Sequence, residues 1–180
     1  YNEQKHGDWL NYCELKKDKV LYLSIDFNIN PFALTAWHIW EDHQGGHCWC
    51  VDEIEIDNGD IRKMCNEIQS RYGHWLPTCY VTGDPMGKRR DIGQIDHASN
   101  YQQIQRYLGL IDQQFVLPAA PTHENSRTDF NYILFYHPDV QISKKCVNLR
   151  RDLRIVEIDA FGQIKKTNRL QISQQADFLD

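Results

Sequence analysis

The first third of the chain has the alternation of apolar and polar residues that is typical of β-strands. Residues 19–26 (KVLYLSID), 31–42 and 47–57 are rich in β-branched and aromatic side chains, so each run predicts a strand. The second and third runs are separated by a glycine-containing turn at 44–46, which indicates a hairpin. Three successive strands with short connections are expected to pair antiparallel.

A helical period follows. Asp60 is a suitable N-cap and Gly73 a suitable C-terminal end for a helix whose apolar residues recur at Ile61, Met64, Cys65, Ile68 and Tyr72. Residues 78–84 (TCYVTGD) predict a short fourth strand, and residues 114–118 (QFVLP) predict a fifth. Between these two strands lies a second predicted helix, capped by Ser99 or Asn100 and closed by Gly109, with Tyr101, Ile104 and Leu108 on its apolar face.

The order of these elements predicts where the fourth strand lies. A right-handed helical crossover after the third strand is expected to return the chain beside the first strand and parallel to it. Asp26 and Asp84 end these two strands. Their carboxylates are therefore expected to face each other across one strand spacing, about 5 Å.

Two adjacent carboxylates repel each other unless a proton or a cation lies between them. A proton-sharing pair would indicate acid–base chemistry, but a hard divalent cation such as Mg²⁺ or Mn²⁺ suits open oxygen ligands better. Gly83 allows close backbone approach, and Pro85 turns the chain directly after Asp84. These features favour a metal site at the strand ends.

A third acid and several cations are candidates for the same site. A last predicted helix carries Asp177 and Asp180 three residues apart and so on one face; a solvated helix face explains this spacing equally well. The loop after Asp84 carries Lys88, Arg89 and Arg90, within reach of a phosphate held there. A second basic pair is Lys144 and Lys145.

Composition sets limits on these interpretations. A chain of 180 residues is expected to form one domain, and no apolar run is long enough to span a bilayer. Its six cysteines are scattered, which is typical of free thiols in a reducing compartment. The net charge of −5 argues mildly against nucleic acid as a partner, although acids within a metal site would be neutralised locally.

The segments LSIDFNINPFAL, VTGDPMGKRRD and QQADFLD together resemble the C-terminal nuclease domain of tailed-phage large terminase subunits. The resemblance implies an α/β RNase H-like fold: a five-stranded mixed sheet of order 3-2-1-4-5, with strand 2 antiparallel and helices on both sides. It also implies that Asp26, Asp84 and one of Asp177 or Asp180 are catalytic and hold two Mg²⁺ or Mn²⁺ ions. Many relatives have a histidine one turn before the third acid; Gln174 stands at that position if Asp177 is the third acid, and Asp177 itself stands there if Asp180 is.

The resemblance further implies a metal-dependent endonuclease that cuts concatemeric double-stranded DNA during viral genome packaging in the host bacterial cytoplasm. Residues 1–18 are expected to link residues 19–180, the nuclease domain, to an N-terminal ATPase domain, because HGDW is similar to the segment leading out of that domain. Portal and small terminase subunit are the expected partners. No Walker A loop is present, so this piece is expected not to hydrolyse ATP.

Other functions are compatible with the same sequence. An RNase H-like domain can be a Holliday-junction resolvase or an RNA–DNA hybrid nuclease, and a non-catalytic DNA-binding domain is a third possibility. A zinc-binding module is a fourth, with His43, His47, Cys48 and Cys50 as ligands. Cys-x-Cys is unusual spacing for structural zinc, and a hairpin already explains that segment.

Overall fold

A computed structural model of the chain describes residues 2–7, 13–28, 30–88, 98–117, 119, 129, 132–133 and 139–156. The described strands are β1 Leu21–Asp26, β2 Phe32–Asp42, β3 Gly45–Ile56, β4 Tyr80–Gly83 and β5 Asp139–Ile142. The described helices are α1 Glu3–His6, α2 Ile61–Tyr72, α3 Asn100–Leu108 and α4 Val147–Ile155, with 3₁₀ turns at Pro85–Lys88 and Asp112–Gln114.

The five strands form one mixed sheet of order β4-β1-β2-β3-β5. β2 is antiparallel to both of its neighbours, whereas β4 is parallel to β1 and β5 is parallel to β3. The predicted mixed sheet, its antiparallel second strand and the 3-2-1-4 order are therefore confirmed. All strands except β2 run in one direction, so the C-terminal ends of these four strands lie at the same end of the sheet.

The predicted ends of α2 and α3 are confirmed. Asp60 caps α2 by accepting a hydrogen bond from the Lys63 N–H, and Ser99 forms a capping box with Gln102 at the start of α3. Gly109 ends α3 in the left-handed conformation. Both helices are therefore bounded by their predicted capping residues and bury their predicted apolar faces.

Two hydrophobic clusters cover the two faces of the sheet. The larger cluster joins Leu21, Leu23 and Ile25 of β1 to the buried side chains of α2 and α3. A smaller cluster contains Cys50, Ile142, Cys146 and Leu149 and lies beneath α4. Because successive residues of a strand point to opposite faces, β1 keeps Tyr22, Ser24 and Asp26 on the face away from α2 and α3.

The fifth strand differs from the predicted one. Phe115, in the segment predicted as strand five, makes only an isolated parallel bridge to Val81, beside β4 as expected. The fifth strand of the sheet is instead β5, which pairs with β3 and is the edge strand on the side of the sheet away from β4. The helix α4 begins only at Val147, because residues 143–146 form the turn that leads out of β5.

The N-terminal segment lies against this opposite edge. Gly7 forms a parallel bridge to Ile142, and the Lys5 carbonyl accepts a hydrogen bond from the Gln141 side chain, 3.3 Å. Glu3 pairs with Arg150 and Arg154 of α4. Among the described helices, none has the length and apolar character needed to cross a lipid bilayer.

Candidate metal centre

Asp26 and Asp84 lie at the ends of two neighbouring parallel strands. The last paired residues of β1 and β4 are Ile25 and Gly83, and each aspartate is the next residue along its strand. The Asp84 N–H donates to the Ile25 carbonyl oxygen at 2.9 Å, so the ladder continues to this point. Adjacent strands are about 4.8 Å apart, and the predicted neighbouring positions of the two aspartates are confirmed.

Gly83 permits the close contact between the two strand ends. Its φ is +133°, a conformation that strongly favours glycine. A Cβ atom at this position would lie 2.1 Å from the Ile25 carbonyl oxygen and 2.5 Å from the Ile25 nitrogen. These are backbone atoms, so no side-chain adjustment relieves the clash, and glycine is required for β4 to end beside β1.

The chain turns immediately after Asp84 and is held there by several hydrogen bonds. The Oδ1 atom of Asp84 accepts from the Met86 N–H at 2.7 Å. Its carbonyl oxygen accepts from the Gly87 N–H at 3.0 Å and from the Tyr101 hydroxyl at 3.0 Å. Among the described residues, no donor binds Oδ2, so this oxygen is available to a ligand.

Asn28 orients the carboxylate of Asp26. The Asn28 side-chain amide donates to Oδ2 of Asp26, two residues back along the chain. Both Asp26 and Asp84 are half-buried, at the rim of the sheet and not in its core. The protein therefore restrains each aspartate locally while keeping it accessible from solvent.

The pKa of Tyr101 responds to the negative charge of the two aspartates. Burial raises the pKa of its phenol, and Asp84 and then Asp26 raise it further. Both carboxylates are thus close enough to the phenol to disfavour phenolate. Tyr101 remains protonated over the physiological range and serves as a hydrogen-bond donor, not as a base.

The residues present fit part of the shell of a hard divalent cation. Carboxylate oxygens are the ligands that Mg²⁺ and Mn²⁺ prefer, and two carboxylates side by side repel unless a cation or proton joins them. Within the described parts of the chain, no group of three or more His, Cys, Asp or Glu side chains is arranged to hold a metal. Asp177 and Asp180, the predicted third acids, lie outside the described residues.

The predicted DNA-contacting cations fall into three groups. Lys88 is exposed at the end of the 3₁₀ turn after Asp84, and its Nζ donates to the Leu117 carbonyl at 2.6 Å. Arg89 and Arg90 lie outside the described residues. Lys144 and Lys145 occupy the exposed turn after β5, three strand spacings from β1, or roughly 14 Å across the sheet.

The structure does not bring the four candidate zinc ligands together. His47 contacts the carboxylates of Asp139 and Asp42, whereas Cys48 and Cys50 lie on the opposite face of β3, because successive strand residues alternate between faces. The Cys50 Sγ lies 3.5 Å from the Cys146 Sγ on the face covered by α4. His43 is in the exposed hairpin turn.

The sequence does not predict two residues of the candidate site. Tyr101 reads only as part of the apolar face of a helix, and Asn28 reads only as a residue of the loop after β1. Asn28 carries a weak local signal, since an amide two residues after an aspartate can reach its carboxylate. The contact of Tyr101 with Asp84 is tertiary, and no spacing along the chain indicates it.

Solved structures with the same fold are nuclease domains of phage large terminases. The domain of phage P22 covers 93% of this chain and 82% of its own length, at 14% identity and a TM-score of 0.60. The domain of bacteriophage SPP1, solved with bound Mn, covers 81% of this chain and 75% of its own length, at 12% identity and a TM-score of 0.50.

A third structure is the nuclease of thermophilic phage G20c with bound magnesium, which covers 91% of this chain and 80% of its own length, at 13% identity and a TM-score of 0.50. No protein-family model matches the chain, and no curated protein matches it by sequence. The likeness is therefore one of architecture. The chain has the RNase H-like fold of phage large terminase nuclease domains.

Proposed function

We propose that this chain is a metal-dependent endonuclease domain that cuts concatemeric double-stranded DNA during phage genome packaging. The observation that supports this most directly is the position of Asp26 and Asp84 at adjacent ends of parallel strands. The fold supports it independently, since domains of the same architecture in SPP1 and G20c were solved with Mn and magnesium bound.

In this proposal Asp26 and Asp84 hold two Mg²⁺ or Mn²⁺ ions, with Asp177 or Asp180 as the third acid. Bound divalent cations would lower the pKa of water and neutralise charge on a phosphodiester. The chain's own residues orient the ligands: Asn28 holds one oxygen of Asp26, and the turn after Asp84 holds Oδ1 of that residue. No side-chain nucleophile is required.

The proposed DNA contacts are non-specific. Lys88 is the described cation nearest to Asp84 in the chain, and Arg89, Arg90, Lys144 and Lys145 are proposed to extend the same phosphate-binding surface. Phosphate contacts position a duplex without reading its sequence, so cutting is expected to be largely independent of sequence. Such binding weakens steeply with salt, and the net charge of −5 predicts weak affinity for this domain alone.

Other parts of a packaging machine are proposed to supply the remaining affinity. Residues 1–18 are proposed to connect the nuclease domain to an ATPase motor domain, with the portal and the small terminase subunit as further partners. Packaging of this kind takes place in the cytoplasm of the bacterial host.

The test of the proposed site is removal of one charge. Asp26→Asn preserves shape but removes the negative charge, so Mn²⁺-dependent nicking of plasmid DNA should fall below detection while the unfolding transition persists. Asp18→Asn is the matched control, because the Asp18 side chain is 75% exposed and precedes β1. Nicking by Asp26→Asn at the control rate would refute the assignment of the site.

The substrate class needs a separate comparison. A packaging nuclease should cleave linear duplex DNA at least as well as a four-way junction or an RNA–DNA hybrid of the same length. A strong preference for the junction would favour a resolvase, and a preference for the hybrid would favour an RNase H activity. Binding of duplex DNA without cleavage of any substrate would favour the non-catalytic alternative.

A further inference from the structure

The phenol of Tyr101 is buried next to the candidate metal centre. Tyr101 is 4% exposed and occupies the first turn of α3. The capping box fixes the start of that helix, because the Ser99 Oγ accepts from the Gln102 N–H at 3.2 Å and the Gln102 Oε1 accepts from the Ser99 N–H at 2.9 Å. The ring therefore extends towards the end of β4 from a firmly held position.

Two aromatic contacts and one glycine fix the orientation of the ring. Phe27 meets Tyr101 edge to face with centroids 4.9 Å apart, and Phe115 meets it at 6.0 Å. Gly87 of the 3₁₀ turn lies so close that a Cβ there would be 2.7 Å from the Tyr101 Cε2 and 2.2 Å from the Phe27 Cε2. The turn after Asp84 thus rests directly on these rings.

The Tyr101 hydroxyl donates to the carbonyl oxygen of Asp84 at 3.0 Å. On its other side, the Asp84 N–H donates to the Ile25 carbonyl of β1. The main chain of Asp84 is therefore held from both the sheet and α3. Since an aspartate side chain has only two rotatable bonds, fixing its main chain restricts the positions that its carboxylate can reach.

We infer that Tyr101 is a positioning residue of the metal centre, which holds the main chain of Asp84 so that its carboxylate stays beside Asp26. This inference rests on the proposed function, because it assumes that the two aspartates bind a divalent cation. Partners that orient ligands from outside the coordination shell typically contribute 10–100-fold to metal affinity. Loss of the hydroxyl is therefore expected to weaken cation binding before it affects the fold.

Tyr72 provides a matched control for the loss of a buried tyrosine hydroxyl. It is fully buried at the end of α2, and its hydroxyl donates to Oδ2 of Asp52 at 2.9 Å. Asp52 is paired with Ala36 in the sheet and does not contact Asp26 or Asp84. Tyr72→Phe and Tyr101→Phe therefore remove the same group from similar surroundings, but only Tyr101→Phe removes it from the metal centre.

The experiment is a calorimetric Mn²⁺ titration of the wild type, Tyr101→Phe, Tyr72→Phe and Asp84→Asn, each shown to be folded by its unfolding transition. Tyr101→Phe should bind Mn²⁺ about ten-fold more weakly than the wild type or worse, and Tyr72→Phe within about two-fold of it. Hydrogen exchange should also accelerate at the Asp84 and Gly87 amides in Tyr101→Phe only.

The outcomes separate this inference from the proposed function. Equal Mn²⁺ affinities of Tyr101→Phe and Tyr72→Phe, in a wild type that binds the ion, would overturn the role of Tyr101 and leave the proposed function intact. A wild type that binds Mn²⁺ no more tightly than Asp84→Asn would overturn both. Weaker binding by Tyr101→Phe with unchanged exchange at Asp84 and Gly87 would overturn the positional explanation.

Discussion

At the scale of single residues, Gly83 allows the ends of β1 and β4 to approach closely, which places Asp26 and Asp84 side by side. Gly83→Ala would place a methyl group 2.1 Å from the Ile25 carbonyl oxygen in a backbone conformation that alanine disfavours. The clash and the strain together should cost about 2–4 kcal/mol of unfolding free energy. Urea denaturation of the wild type and the variant measures this loss.

Gly109→Ala is the control for backbone strain alone. Gly109 also has a positive φ, +67°, but a Cβ there meets no atom within 4 Å. Its replacement should cost about 1–2 kcal/mol. Equal losses for the two variants would show that β1 and β4 separate easily at this point and that Gly83 does not define the site.

The relative position of the two aspartates could be predicted from the sequence, whereas most of the contacts around them could not. Asp26 and Asp84 could be paired because a right-handed crossover fixes which strand ends are neighbours. Tyr101 could not be added to them, since its contact with Asp84 is tertiary, and Asn28 had only the weak local signal of an amide two residues after an aspartate. The distance of Lys144 from Asp26 also became clear only when the edge position of β5 was known.

At the scale of elements, β5 is a four-residue strand whose first residue, Asp139, contacts His47 of β3. The ring of His47 lies between two carboxylates, with its Nδ1 2.7 Å from Asp139 and its Nε2 3.0 Å from Asp42. Because ionised carboxylates only accept hydrogen bonds, only the protonated imidazole, with both nitrogens donating, makes both contacts in full. Trp40 stacks on the ring at 4.5 Å, and Trp49 donates to the same Asp139 oxygen, 2.6 Å.

This arrangement predicts a pH-dependent contribution to stability. Burial lowers the pKa of His47, but the hydrogen bonds to Asp139 and Asp42 outweigh burial and raise the pKa overall; the same contact holds the pKa of Asp42 at about 2. A raised pKa stabilises the fold fully below the usual value of about 6.5. The contribution is lost as pH rises through the raised pKa of the folded state.

His47→Gln should remove that dependence. The difference in unfolding free energy between the wild type and His47→Gln is expected to be largest near about pH 6 and to shrink towards about pH 9, as measured by urea denaturation across the series. His43→Gln, in the exposed hairpin turn, should retain the wild-type profile. A constant difference between the wild type and His47→Gln would contradict the protonated state.

β5 also shows why the fifth strand of this sheet could not be identified from the sequence. The run Asp139–Ile142 has only four residues, too few to show a clear alternation. It becomes a strand because β3 offers an unpaired edge at residues 47–50. Phe115 and its neighbours are more apolar and give the stronger strand signal, yet the described residues of that segment, 114–117, make one isolated bridge. Tertiary pairing, not local preference, decided between the two segments.

At the scale of the whole molecule, the described N-terminal residues fold with the domain. The prediction that residues 1–18 form a linker remains a prediction, but residues 2–7 contact both β5 and α4. Glu3 pairs with Arg150, whose side chain is 12% exposed, and its other oxygen accepts from the Arg154 Nε at 2.7 Å. Within the described part of the chain, the Arg150 Nε has no hydrogen-bond partner, which makes its guanidinium dependent on Glu3.

Glu3→Gln should therefore destabilise the whole domain and not only the first helix. Loss of the carboxylate leaves a largely buried guanidinium without its counter-charge, at a cost of roughly 1–3 kcal/mol in the global urea transition. Glu67→Gln is the matched control, because Glu67 forms an exposed pair with Arg71 one turn away on α2 and should cost less than about 0.5 kcal/mol. If the two variants lose equal stability, or if α4 remains fully protected from hydrogen exchange in Glu3→Gln, then residues 2–7 contribute little to the fold.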